Sequence, residues 1–191
     1  MTDRRRELVR AAIRVFARKG FHDARVGDIA EEAGVAHGLL YHYFRSKEEV
    51  LEAIFRETWT ALVRQTTQIE ESGAPITEQV RRFATIFLGS WLMTPSLVRV
   101  IIREVARSPE VNNRVDEIRN VFVGLGRMMA AAKERGELRA DADPRLATWV
   151  LYGALEEILT GWVLGQLPGE EEDVERAVAT VVEVFGAGLA A

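Results

Sequence analysis

Cysteine is missing from this chain altogether, histidine occurs three times, and no apolar run is long enough to span a bilayer. Without thiols there is no cysteine nucleophile and no cysteine-ligated zinc, which fits a reducing compartment. A transmembrane helix needs roughly 18 consecutive apolar residues, so none is expected. The opening MTDRRRELVR is charged and runs straight into an amphipathic pattern, unlike a signal peptide. A cytoplasmic protein is expected. Also missing are G-x-S-x-G, a phosphate loop, H-E-x-x-H and a clustered carboxylate pair. His37 and His42 are five apart, poorly spaced to share a metal, and the adjacent Glu156 and Glu157 point in different directions. No catalytic residue, metal or cofactor is therefore assigned, and an enzyme is not expected.

Strand signals are absent too. No β-rich alternating run and no Asn-Gly hairpin turn occurs, whereas apolar residues recur at three and four positions. An all-α fold is expected. Leu8, Ala12, Val15 and Phe16 form the inner face of a first helix that stops at Gly20. Ile29, Ala30 and Ala33 line a short second helix closed by Gly34, and a third runs from about Ala36 to Phe44. Ser46 and Glu49 make a capping box for a fourth helix reaching about Ser72. Thr94-Pro95, Ser108-Pro109 and Asp143-Pro144 each pair a capping side chain with a proline at the first helical position. The remaining helices are expected at about 76–93, 95–107, 109–135, 144–166 and 170–188.

The net charge of −4 conceals an asymmetry. Residues 1–47 carry ten Lys/Arg against six Asp/Glu, together with all three histidines; residues 48–191 carry fifteen against twenty-three. A basic N-terminal portion on an acidic body points to a polyanion as its partner. Within that portion, IAEEAGVAHGLLYHYF has the spacing of two short helices joined by a tight turn, a helix-turn-helix whose second helix enters the major groove of duplex DNA. Ile29, Ala33, Val35, Leu40 and Phe44 form its buried set. His37, Tyr41 and His42 face outward, and Gly38 is small enough for close approach to bases. Lys47 stands at the head of the fourth helix as a phosphate contact. Arg4, Arg5, Arg6 and Arg10 are further DNA candidates, or else a solvated helix start.

Gly20-Phe21 and the stretch DIAEEAGVAHGLLYHYFRSKEEV resemble the TetR family of bacterial transcriptional repressors. The resemblance implies a three-helix DNA-binding domain at 1–47 and a larger helical bundle at 48–191 for ligand binding and dimerisation. It also implies a repressor whose operator is released when a small hydrophobic effector binds. His37, Tyr41, His42, Tyr43 and Lys47 occupy positions that meet DNA in relatives. This chain departs from the family pattern at Ala24, Arg25, Gly27, Ala36 and Leu39. Arg25 can replace a lost hydroxyl with a charge-assisted phosphate contact.

In the larger portion, FATIFLGSWL (83–92) is apolar almost all round, as suits a helix inside a bundle. Phe83, Phe87, Trp91, Phe122 and Met128 are candidates to line an elongated apolar cavity, although a close-packed core explains each residue singly. YGALEEILTGWVLG (152–165), and more loosely REVARSPEVNNRVDEI (103–118), are similar to TetR-family regulators of fatty-acid degradation. That similarity implies a long-chain acyl-CoA effector; a drug or aromatic metabolite is the alternative. Arg99, Arg103 and Arg107 lie on one helical stripe, suited to CoA phosphates or to surface pairing with Glu104 and Glu110. The last two helices are expected to form a homodimer interface through Trp149, Gly153, Gly161, Gly165, Val178 and Phe185. A two-fold dimer presents two reading helices to a palindromic operator.

Overall fold

The structure is a computed structural model and describes residues 3–105 and 116–189. Among the described residues it is helical, without strands. The helices are α1 (Asp3–Lys19), α2 (Val26–Glu32), α3 (His37–Tyr43), α4 (Lys47–Glu71), α5 (Ile76–Met93), α6 (Pro95–Val105), α7 (Asp116–Glu134), α8 (Pro144–Val163) and α9 (Glu171–Leu189). No single one is long and apolar enough to cross a membrane.

Two compact units emerge. One holds the described residues of Met1–Thr58 and Pro95–Asp116, the other those of Trp59–Thr94 and Glu117–Ala191. These units divide the chain differently from the sequence boundary at residue 47. The first part of α4 stays with the N-terminal portion, and α6 packs on α1 within the same unit. Val98 and Val100 of α6 are buried in this smaller unit, although the sequence boundary assigns them to the larger portion.

The first unit is built on the α1 face read from the sequence: Leu8, Ala12, Val15 and Phe16 are all buried. Phe16 meets Phe21 edge-on at 5.3 Å. The turn between α2 and α3 depends on Gly34, whose φ is +66°. Its N–H bonds the Glu31 carbonyl, and that of Val35 bonds the Ala30 carbonyl, a Schellman closure that side chains with a Cβ rarely permit.

In the second unit α9 packs against α5 and α8, and α8 also packs against α5. Asp143 caps α8 as its sequence suggests, accepting from the N–H groups of Arg145 and Leu146. Two other caps differ. Thr94 donates its hydroxyl to the Ser90 carbonyl and so ends α5 rather than starting α6. Ser46 accepts from the Glu49 N–H, but Glu49 reaches back to the Arg45 N–H, one residue beyond the expected reciprocal bond. Ser108-Pro109 and the expected helix start at 109 lie outside the described residues.

Candidate nucleic-acid interface

A helix of seven residues cannot hold itself together, so α3 is kept in place by what it buries. Leu40 and the following Phe44 are fully enclosed, and Ile29 lies beside them from α2. Ala33 and Val35 are only half-buried, at the margin rather than the centre of that cluster. The opposite face is open: His37, Gly38, Tyr41 and His42 are exposed, Tyr41 by 55%, and Tyr43 is half-exposed with its ring edge-on to His42 at 5.1 Å. Ala36, at the N-cap, supplies no side-chain bond, so α3 begins without a cap. The rings therefore divide as the sequence suggests, with Phe44 inward and donors and acceptors outward.

The brace is electrostatic. Arg14 and Arg18 of α1 both reach Glu32 of α2, at 2.7 and 3.1 Å, and Lys19 reaches Asp28 at 2.7 Å. The Arg14 guanidinium, then that of Arg18, holds the Glu32 carboxyl below its ordinary range. Lys19 first, then the Arg25 N–H, does the same for Asp28. Asp28 accepts from the Arg25 N–H at 2.8 Å, while Arg25 at the N-cap of α2 supplies no side-chain bond to the first turn. The Arg25 side chain remains exposed.

Several expected DNA contacts are otherwise occupied. Lys47 does not offer its charge outward as a phosphate contact. Its ammonium donates to the carbonyls of Phe21 and His22 at 2.8 Å and of Ala24 at 3.0 Å, spending all three protons. Lys47 is thus a clamp on the loop between α1 and α2. Arg5 pairs with Glu57 at 3.0 Å and lies 4.7 Å from the Phe44 ring centroid, a structural position too. Arg4 pairs with Glu7 at 2.6 Å.

The expected effector residues separate. Phe83, Phe87 and Met128 are buried in the second unit. There Phe122 sits 4.5 Å from both Trp149 and Tyr152, and Tyr152 meets Phe87 at 5.5 Å. The nearly buried Tyr152 hydroxyl is pushed well above its ordinary pKa by desolvation, helped by Glu156. Trp59, missed in the sequence, stacks on Tyr152 at 6.3 Å with its buried Nε1 unpartnered. Trp91 is committed elsewhere: its Nε1 donates to the Gly169 carbonyl at 2.9 Å and its ring lies 6.2 Å from Trp162. Arg99 and Arg103 stand on α6 in the first unit, where Arg103 donates to the Ala17 carbonyl at 3.5 Å. Arg107 and Glu110 lie outside the described residues, and Glu104 is buried rather than a surface partner. Arg127, a further cation of the second unit, is held by Glu70 through two 2.7 Å bonds.

The expected interface is corrected residue by residue. Trp149 and Gly153 are exposed and remain candidates. Gly161 is buried by its own chain: a Cβ there would stand 2.7 Å from Leu167 Cδ1. Gly165 has φ +68° and ends α8, which explains its lack of a side chain without a partner helix. Val178 is buried on α9 within the chain itself, whereas Phe185, although mostly buried, lines an open groove between α8 and α9. Sequence reasoning missed an apolar groove of about 760 Å³ lined mainly by α8 and α9, including Leu146, Val150, Ile158, Val181 and Val184. Leu146 and Val150 on α8 and Val184 on α9 are each more than 60% exposed. The four-residue step from Leu146 to Val150, opposite the buried Leu151 and Leu155, was the available signal.

Residues 8–54 match the bacterial regulatory proteins of the tetR family, and residues 76–181 match the tetracyclin repressor-like C-terminal domain. The fatty acid metabolism regulator protein of Bacillus subtilis (strain 168) is 25% identical over 96% of this chain and 94% of its own. The solved fatty acid degradation regulator FadR from Bacillus halodurans superposes with a TM-score of 0.89 at 26% identity, covering 98% of this chain and 97% of its own. FadR from Bacillus subtilis in complex with stearoyl-CoA has the same fold, with a TM-score of 0.82 at 24% identity over 96% and 98% of the two chains.

Proposed function

From the premise that the chain belongs to the tetR family of bacterial regulatory proteins, and so is a transcriptional regulator, we propose a dimeric repressor released from its operator by long-chain acyl-CoA. In this reading residues 1–47 hold a palindromic operator, residues 48–191 hold the effector and the second subunit, and no chemistry is catalysed. The observation that carries the DNA-binding role is the split surface of α3. Leu40 and Phe44 fix the helix from its buried side while His37, Tyr41 and His42 are exposed on the other. Those three side chains offer hydrogen bonds and ring edges at the spacing of a major-groove reader.

Dimerisation is supported by the α8–α9 groove. Leu146, Val150 and Val184 leave large apolar side chains in water along this groove, and a second copy of the same pair would cover them as a four-helix bundle. Two reading helices are needed because one helix-turn-helix makes too few contacts for tight, specific binding.

The acyl-CoA reading is supported by the likeness to a fatty acid metabolism regulator over nearly the whole chain and by the aromatic interior of the second unit. A protein of the same fold was solved with stearoyl-CoA. An acyl chain gains roughly 0.8 kcal/mol for every CH₂ taken out of water, so affinity should rise steeply with chain length. Titration calorimetry with palmitoyl-CoA, a short acyl-CoA and free CoA tests this: binding should be strongest for the first and weakest for the last. No heat and no thermal shift with palmitoyl-CoA at on the order of tens of micromolar would oppose the acyl-CoA reading. The second reading is a different hydrophobic effector, a drug or aromatic metabolite. It is favoured by the match of residues 76–181 to the tetracyclin repressor-like domain and by the rings of Trp59, Phe122 and Tyr152.

A further inference from the structure

The first residue of the reading helix leans on the helix before it. His37 opens α3, and its imidazole lies against Gly27 in the first turn of α2. A Cβ built on Gly27 would stand 2.7 Å from His37 Cε1, 3.1 Å from Nε2 and 3.8 Å from Nδ1. The first of these separations is shorter than any real contact of that kind, so a side chain at 27 and this ring position exclude each other. The Cε1–Nε2 edge of the ring thus faces Gly27, and Nδ1 lies farther from it. The residue as a whole remains exposed.

We propose that Gly27 is a specificity-determining residue: its missing side chain seats the His37 imidazole across the start of α2, and the seated ring reads one base pair in each half-site. The inference rests on the DNA-binding reading given above. A neutral imidazole carries one donor and one acceptor, and major-groove base edges differ in the order of theirs. A freely turning ring presents both to many edges. A ring seated with its Cε1–Nε2 edge on Gly27 presents them in fixed directions, and less side-chain freedom remains to be lost on binding. Two positions of the helix-turn-helix, 27 and 37, thereby act through one side chain.

Backbone conformation does not require glycine here, since Gly27 is not among the positive-φ glycines and alanine is the better helix former. Its substitution should displace only an exposed ring and leave the fold intact. The experiment begins with a duplex selected by the wild-type protein from a random library. Relative affinities for all single base-pair changes in that duplex are then measured for wild type, Gly27→Ala, His37→Ala and the double variant, with thermal unfolding as a control. Gly27→Ala and His37→Ala should relax preference at the same base-pair position by about five- to a hundredfold, and the double variant no further. A wild-type preference profile in Gly27→Ala, or relaxation at a different position from His37→Ala, overturns the inference alone. Failure of the wild-type protein to select any duplex overturns the DNA-binding reading and the inference with it.

Discussion

The Lys47 ammonium stands 2.8 Å from the Phe21 carbonyl oxygen and 4.7 Å from the centroid of the Phe21 ring. One cation at the head of α4 thus fastens the segment that follows α1, through that carbonyl, those of His22 and Ala24, and the face of an aromatic ring. The position invites a phosphate in sequence and holds a loop in structure.

Replacing Lys47 with methionine keeps the stem and removes the donors. The N-terminal unit should lose about 2 kcal/mol, the ordinary worth of hydrogen bonds to a charged group. In the fraction that stays folded, the dependence of DNA affinity on salt should not change. A phosphate contact predicts the reverse: unchanged thermal unfolding and a salt slope smaller by about 0.9.

Tyr41→Ala tests the outward face of α3. The ring is more than half exposed, so unfolding should move by less than about 0.5 kcal/mol while specific DNA affinity falls at least tenfold. Circular dichroism and fluorescence anisotropy on one preparation check both. Loss of fold with unchanged affinity in the folded fraction would put Tyr41 in the core.

Assembly separates two classes of residue on α8 and α9. Val150→Glu or Val184→Glu places a charge in the open groove and should yield folded monomers by sedimentation. Gly161→Val should instead lower stability, because the new side chain collides with Leu167 of its own chain. Dimers from Val184→Glu together with monomers from Gly161→Val would reverse this assignment.

Acid should loosen the link between α1 and α2. The Glu32 carboxyl, held below its ordinary range by Arg14 and then Arg18, contributes stability that is complete above its unfolded value. That contribution disappears as pH falls through the lowered folded value. Wild type should therefore unfold at a higher temperature than Glu32→Gln at neutral pH, and the two should converge on acidification. A gap that persists unchanged into acid would mean that Glu32 acts through packing.

Helix positions were largely legible in the sequence because their signals are local. Ile76–Met93 runs as expected from Pro75 to Thr94, and Gly34 marks the turn between α2 and α3 through a backbone angle that belongs to glycine itself. The inward set Ile29, Leu40 and Phe44 followed from helical periodicity. Partners distant in sequence were not legible. Lys47 meets carbonyls 23 to 26 positions earlier, Gly161 is closed by a side chain beyond the end of its helix, and the apolar face of α6 does not say which helix it will cover. Glycine carried the most misleading signal: Gly161 and Gly165 look alike on a helical stripe, yet one makes room for Leu167 and the other ends the helix.

On the proposed function, an acyl-CoA removes this regulator from DNA. A ligand can do so only by binding the released conformation more tightly than the DNA-bound one. The direct measurement is fluorescence anisotropy of the selected duplex with wild-type protein, titrated separately with stearoyl-CoA, a short acyl-CoA and free CoA. The account predicts that stearoyl-CoA releases the duplex at the lowest concentration, the short acyl-CoA later, and free CoA not at all. A duplex that stays bound under saturating stearoyl-CoA, or that all three compounds release alike, would contradict it.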